Sequence, residues 1–336
     1  MSPRLPLPLL LIIAPLSLLL ALAVGSVPLS VDVLWGVLWD VLWGVLSGAA
    51  GPDNTDLPRT LIMELRLPRA LSAFAAGGLL ALAGALMQVL LRNPLADPYI
   101  LGISGGAAVG ALLSMLLGLG AAWTSGNAFA GALLSMLLVF GLAHGRGNWS
   151  PLRLLLTGVV VAAGWGAVIS FMLAIAPERG LHGMLFWLMG DLSHTPPPHW
   201  GLLVLGLGLL ACLPLARDLN VLARGELAAG ALGVSVARLR LMLYLVASLL
   251  TATAVTIAGS VGFVGLVIPH LLRLLGLTDH RRLLPAAVLA GGSLLVLADT
   301  VARSLLAPQQ LPVGVITALL GVPVFLYLLH RRGGRL

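Results

Sequence analysis

Long apolar runs alternate with short polar breaks along the chain, and the breaks carry nearly all of its charge. Residues 5–24 form a leucine-rich run after Arg4. Ala21-Leu-Ala23 resembles a signal-peptidase site, but about twenty apolar residues suit a span better than a signal-peptide core, so a retained first helix is expected. In residues 31–46, Trp35, Trp39 and Trp43 recur every fourth position beside Leu34, Leu38, Leu42 and Leu46. That pattern predicts an external helix lying at a membrane interface, where tryptophan concentrates. After a polar turn at 51–58, spans are expected near 69–91, 98–118, 127–143 and 152–176. A longer external segment covers 177–200, and another span covers 201–216. The longest polar insertion, 218–240, is helix-prone and short. A span near 241–258 is interrupted at Gly259-Ser260-Val261-Gly262, a shorter apolar segment leads to Pro269-His270, and spans near 283–305 and 312–330 close the chain. The pattern predicts an all-α, polytopic membrane protein of about ten helices, with 1–336 as one transmembrane domain.

The stretch Arg66–Gly106 organises the rest. Two arginines around Pro68 open an apolar run that breaks at Asn93-Pro94 and resumes at Tyr99. The run holds Gly77, Gly78, Ala81, Gly84 and Ala85. Small residues near four apart let membrane helices pack backbone to backbone. Arg92, Asn93 and Asp97 mark a polar corner, since such groups are not left unpaired in lipid.

Composition sharpens this picture. The 336 residues are 59% hydrophobic and 9% charged, with net charge +7, against about a quarter charged in soluble domains. All nineteen basic residues are arginines. With the N-terminus inside, fourteen fall in internal loops and tails, and Arg59, Arg66, Arg69, Arg179 and Arg303 fall outside. This bias places both termini in the cytoplasm. It accounts for the basic balance without nucleic acid, which is not expected as a partner. Cys212 is the only cysteine, so an intrachain disulfide or cysteine metal cluster is excluded.

No lysine means no GxxxxGK[ST] loop, so the chain is not a Walker-type ATPase. No HExxH or GxSxG motif is present, and no catalytic or metal-binding residues are assigned. An ion-coupled secondary carrier is the alternative, because such carriers place ionisable groups deep in the bundle. Asp299 is the one carboxylate well inside a predicted span, and Arg303, one turn on, makes a structural ion pair the simpler expectation. The 218–240 insertion, beneath a bundle that cannot hydrolyse ATP, suits a docking element for a partner that can.

These residues resemble the permease subunits of ABC importers for iron chelates and cobalamin, the FecCD/BtuC-like family. The resemblance runs nearly end to end: Arg66-Leu-Pro-Arg69; Gln88 with Arg92-Asn-Pro-Leu-Ala-Asp-Pro98; Leu101-Gly-Ile-Ser-Gly-Gly106; Gly225-Glu226 through Leu232-Gly233; Gly262 through His270; Arg273; Asp279-His280-Arg281; Asp299 with Arg303; Leu311-Pro-Val-Gly314; and Gly321-Val-Pro323. One departure is Gln310, where the family usually carries Glu.

The resemblance implies a type II importer fold of ten helices per subunit and a homodimer in the bacterial inner membrane with its substrate path at the two-fold axis. It implies two cytoplasmic ABC ATPase subunits holding ATP and magnesium, a periplasmic substrate-binding protein, and no cofactor bound by this chain. The cargo would be a ferric siderophore, haem or cobalamin. By similarity Asn93 and Leu95 fall at the cytoplasmic gate, and Gly225, Glu226, Ala228, Ala229, Leu232 and Gly233 in the ATPase-coupling segment. Arg66, Arg69 and Arg303 are expected to form an external docking surface for the binding protein. The helix at 152–176 resembles the one lining the path, and His182, His194 and His199 lie in the external segment, where they could contact haem iron.

Overall fold

The computed structural model describes residues 6–25, 30–47, 57–143, 151–193 and 196–332. Its described residues form helices joined by short connections. In order they are α1 (Pro6–Ala23), α2 (Val31–Ser47), α3 (Leu57–Thr60), a π-helical turn (Leu61–Arg66), α4 (Leu67–Leu90), a 3-10 turn (Pro98–Leu101), α5 (Ile103–Leu116), α6 (Ala121–Ala143), α7 (Pro151–Ile175) and α8 (Glu178–Leu188). Then follow α9 (Pro198–Cys212), α10 (Ala216–Leu222), α11 (Glu226–Ala231), α12 (Val236–Ala258), α13 (Val264–Leu274), α14 (His280–Ser304) and α15 (Val313–Arg332).

The centre is α4, whose most apolar stretch is 89% buried. It packs against α14, α12, α13 and α9. Its small residues set how close these neighbours come. A Cβ on Gly84 would lie 1.9 Å from the Gly265 carbonyl oxygen of α13, and one on Gly77 would lie 2.2 Å from that of Gly291 in α14. With a side chain at either position the helices would have to separate, so the glycines of 66–106 are packing residues of the kind the spacing predicts. By contrast, α7 is only 11% buried over its apolar stretch.

Five helices, at 57–90, 121–143, 152–175, 236–258 and 280–304, are long and apolar enough to span a bilayer, and α9 with α10 makes a sixth span bent by 66°. Four shorter apolar helices, at 7–23, 103–116, 264–274 and 313–327, bring the apolar helical segments among the described residues to the ten expected. They are not equal. At 1.5 Å per residue, α13 covers about half of a ~30 Å hydrocarbon core. The non-helical run 259–263 precedes it, within the protein, where irregular backbone is tolerated at membrane depth. There Ser104 Oγ donates to Ser260 Oγ at 3.0 Å, and the Val261 N–H donates to the Tyr99 hydroxyl at 3.0 Å.

Several boundaries differ from the sequence reading. The span expected from 69 belongs to a continuous helix from Leu57 to Leu90, because the π turn carries the helix through Arg66. The segment 177–200, expected to be external, contains the whole of α8. The insertion 218–240 is two short helices, and its last five residues, including Arg238 and Arg240, already belong to α12. In α2, the predicted interfacial helix, Trp35, Trp39 and Trp43 are all more than half exposed. Arg4, Arg146, His194, Arg335 and the turn residues 51–56 fall outside the described residues.

Candidate functional site

At the end where α4 stops, the chain makes a Schellman turn. The Asn93 N–H donates to Gln88 O and the Arg92 N–H to Val89 O, both at 3.2 Å. The residue that must turn left-handed in this motif is usually glycine; here it is Arg92, at φ 49°. Left-handed backbone costs an L-residue about 1–2 kcal/mol. Asn93 Oδ1 then accepts from the Leu95 N–H at 2.9 Å. This turn uses Asn93 as a local cap around Pro94, and Asn93 itself is exposed, with Leu95 half-buried behind it. Asp97 caps the following 3-10 turn through the Tyr99 N–H at 2.8 Å. Burial among neighbouring atoms pushes its carboxyl up to about 6, against the lowering effect of that N–H.

The predicted coupling segment lies at the same end. α10 is held to the start of α14: Asn220 Nδ2 donates to Asp279 Oδ1 at 2.7 Å, and Asn220 Oδ1 accepts from the His280 N–H at 3.0 Å. Gly225, at φ 129°, makes the sharp turn into α11 that a side chain would oppose. Of the expected coupling residues, Ala229 is buried against the bundle, whereas Ala228, Leu232 and Gly233 are exposed. The carboxylate of Glu226 turns back toward the bundle. It pairs with Arg92 Nη2 at 2.9 Å and with Arg240 Nη2 of α12. The most exposed apolar side chain here is Leu227, at 92%. The sequence reading passed over it, because a leucine in a helix-prone segment looks like core until the helix is oriented. Deeper in, Gln88 Nε2 donates to Leu266 O at 3.1 Å and Gln88 Oε1 accepts from Arg273, joining α4 to α13.

At the opposite end Arg66, Arg69 and Arg303 do come together, but not on a surface. Arg66 and Arg303 are buried, at 6% and 7% exposure. Arg66 Nη1 donates to Leu22 O at 2.7 Å and Ala23 O at 3.1 Å, and Arg303 Nη2 donates to Ala21 O. These are the last carbonyls of α1, which lack helical partners and sit at the negative end of the helix dipole. Two of the three expected docking arginines therefore cap α1. The pair expected between Asp299 and Arg303 exists at 3.6 Å, but Arg69 is the closer partner. Arg69 grips both carboxylate oxygens at 2.8–3.1 Å and donates to Gln310 Oε1 at 2.8 Å. Gln310, the departure from the family pattern, keeps the acceptor oxygen and drops the charge.

Between α8 and the neighbouring ends of α5, α6 and α12 lies a cavity of about 410 Å³. Its lining includes His182, Phe186, Trp187 and Asp191, with the His182 ring 4.4 Å from that of Phe186. His199 is not among its lining residues. Among the described residues, no group of three or more His, Cys, Asp or Glu could hold a metal ion.

Comparison with known proteins agrees with this arrangement. Over 332 residues the chain is 40% identical to YvrB of Bacillus subtilis, an uncharacterized ABC transporter permease, covering 95% of this chain and 92% of that one. It is 42% identical over 278 residues to the vitamin B12 import permease BtuC of Klebsiella pneumoniae, covering 82% and 83% of the two chains. The BtuC of an Escherichia coli strain is 40% identical over 287 residues, covering 84% and 88%. A solved structure described as an inward-facing conformation of a metal-chelate type ABC transporter superposes with a TM-score of 0.82 at 32% identity, over 97% of this chain and 98% of that one. The type II importer architecture and the absence of a catalytic role follow from these relationships. With the FecCD transport family profile matching residues 10–331, this chain belongs to that family and is the multi-pass permease subunit of a bacterial ABC importer.

Proposed function

We propose that this permease works as a homodimer in the inner membrane and carries an iron chelate or a corrinoid into the cytoplasm. Both termini and the α10–α11 end face the cytoplasm, and two ATPase subunits dock there. A binding protein delivers the cargo at the end carrying Arg69 and α8. The observation that carries this reading is α11: a short helix at the edge of the bundle that, with the residue capping its end, presents Leu227 and Leu232 outward, next to the Asn93–Leu95 corner. Exposed leucines on such a short helix suit an apolar cleft of a partner. Asn93 and Leu95 are assigned to the gate, while Gly225, Ala228, Leu232 and Gly233, together with Leu227, are assigned to ATPase docking. At the other end, Arg69 remains the docking arginine of the original three, through the exposed side of its pair with Gln310. Arg66 and Arg303 support it from below by holding α1.

The relatives named for vitamin B12 import and the structure of metal-chelate type support both cargo classes. Identifying the ligand bound by the periplasmic protein that co-purifies with the assembled importer decides between them. The docking assignment is tested by Leu227→Asp. Placing a charge into an apolar contact is costly without a partner, so the variant should remain folded yet fail to retain the ATPase on co-purification. Normal retention would remove α11 from the interface. Ion-gradient-driven uptake by the purified chain alone in liposomes would instead support a secondary carrier.

A further inference from the structure

We propose that the Arg92–Glu226–Arg240 ion triad is the mechanical link between the ATPase-docking helix and the gate. The inference rests on the docking and gate assignments above.

Three observations carry it. First, the triad joins three separate pieces of chain. Glu226 opens α11, Arg240 lies in the first turns of α12, and Arg92 is the residue before Asn93-Pro94-Leu95. A displacement of α11 thus reaches the gate corner through one side chain, with no intervening helix. Second, the two arginines differ in setting. The Arg240 side chain is 10% exposed and rooted in a packed helix, whereas that of Arg92 is 43% exposed and sits on a turn. The Arg240 pair is the pivot and the Arg92 pair the movable arm. Third, Arg92 occupies a left-handed position where glycine would be unstrained. The turn alone gives no reason for an arginine there, and the guanidinium held against Glu226 supplies one. Local strain retained beside a moving part is characteristic of functional segments.

This changes the role of Glu226. It does not reach out to the ATPase; Leu227 and Leu232 do that, and Glu226 transmits what they feel. When docking leucines are pulled by closure of the ATPase pair, Glu226 draws Arg92, and the corner from Arg92 to Asp97 follows. The arrangement also orders the elements in strength. α10 is tied to α14 by Asn220 and stays, so α11 is the part that moves.

The test uses the full permease–ATPase complex in nanodiscs and needs no cargo. The native Cys212 is buried, so in a Leu95→Cys variant the added cysteine is the accessible thiol of each permease chain, and labelling is read on that chain. Its labelling rate with a charged maleimide is measured without nucleotide and with ATP and vanadate. ATP should change the rate about fivefold, the size of population shift that a partly exposed ion pair can carry. Adding Arg92→Gly should reduce that change to less than about twofold while the ATPase still co-purifies. The melting temperature should hold or rise, because glycine relieves the left-handed turn. Glu226→Gln, which keeps the backbone as it is, should give the same loss. An ATP-driven change that survives in both variants overturns the link and leaves the gate assignment standing. Failure of either folded variant to retain the ATPase makes the triad part of the docking surface and overturns the link as well. No ATP-driven change in Leu95→Cys alone sinks the gate assignment, and the link with it.

Discussion

At one end of α4, Asp299 lies between Arg69 and Arg303 with its side chain 3% exposed; at the other, Glu226 lies between Arg92 and Arg240 with its side chain 35% exposed. Both are one carboxylate between two guanidiniums. The first is nearly closed: its arginines also hold Gln310 and the end of α1, and only the Arg69–Gln310 side reaches solvent. A buried charge of this kind is tolerated only while all its partners stay, so it makes a brace. The second is open to water on the Arg92 side, where a pair is worth little and exchanges readily. One carboxylate between two guanidiniums thus makes a fixed joint in one place and a movable one in the other, and burial decides which.

The largest expected effect falls on the closed cluster. Asp299→Ala leaves one buried and one partly buried guanidinium without their carboxylate and should cost about 3–5 kcal/mol of stability, read from denaturant or thermal unfolding of the purified permease. Asp299→Asn keeps an acceptor for Arg69 and should cost less. Arg66→Ala removes two charged hydrogen bonds to the end of α1 and should cost about 1.5–3 kcal/mol, with α1 becoming the first segment to exchange amide hydrogen.

Asp97, at the open end, gives a smaller and pH-dependent effect. Its folded carboxyl sits at about 6, above the ordinary value of 3.8, so the folded state binds the proton more tightly than the unfolded chain. Its contribution to stability is therefore greatest below that ordinary value and is lost as pH rises through about 6. Asp97→Asn retains the cap on Tyr99 and abolishes this slope. At neutral pH it should be more stable than wild type by about 2 kcal/mol, and the difference should close below about pH 3. The smallest stability effect belongs to Glu226→Gln, under about 1 kcal/mol, despite its expected effect on the gate. Equal losses in Asp299→Ala and Glu226→Gln would break the comparison.

Much of this was legible in the sequence. Apolar run length predicted the helices, and the small residues at Gly77 and Gly84 predicted how tightly α4 packs. The polar corner at Arg92–Asp97 and the short helical insertion after residue 218 were legible too, because polar residues between spans have few places to go. What was hidden is partnership across distance. Nothing local to Arg66 says that its guanidinium meets carbonyls 43 and 44 residues earlier in the chain. The i,i+4 rule found Arg303 for Asp299 but could not find Arg69, 230 positions away. Likewise Leu227 and Ala229 are equally apolar on paper. Only the orientation of α11 turns one out to the surface and makes the other a packing residue.

The π turn at Leu61–Arg66 has a consequence for α2. Such a turn is an α-helix carrying one surplus residue, and it shifts the phase of everything before it by about 100°. Ile62 sits within it, fully enclosed, and forms a small apolar cluster with Leu22 of α1 and Leu34 of α2. The tryptophan-bearing helix is thereby moored to the bundle through a register. Deleting a single residue from this turn would restore a regular ladder, rotate Ile62 off its two leucines, and cast α2 adrift with every one of its own residues intact.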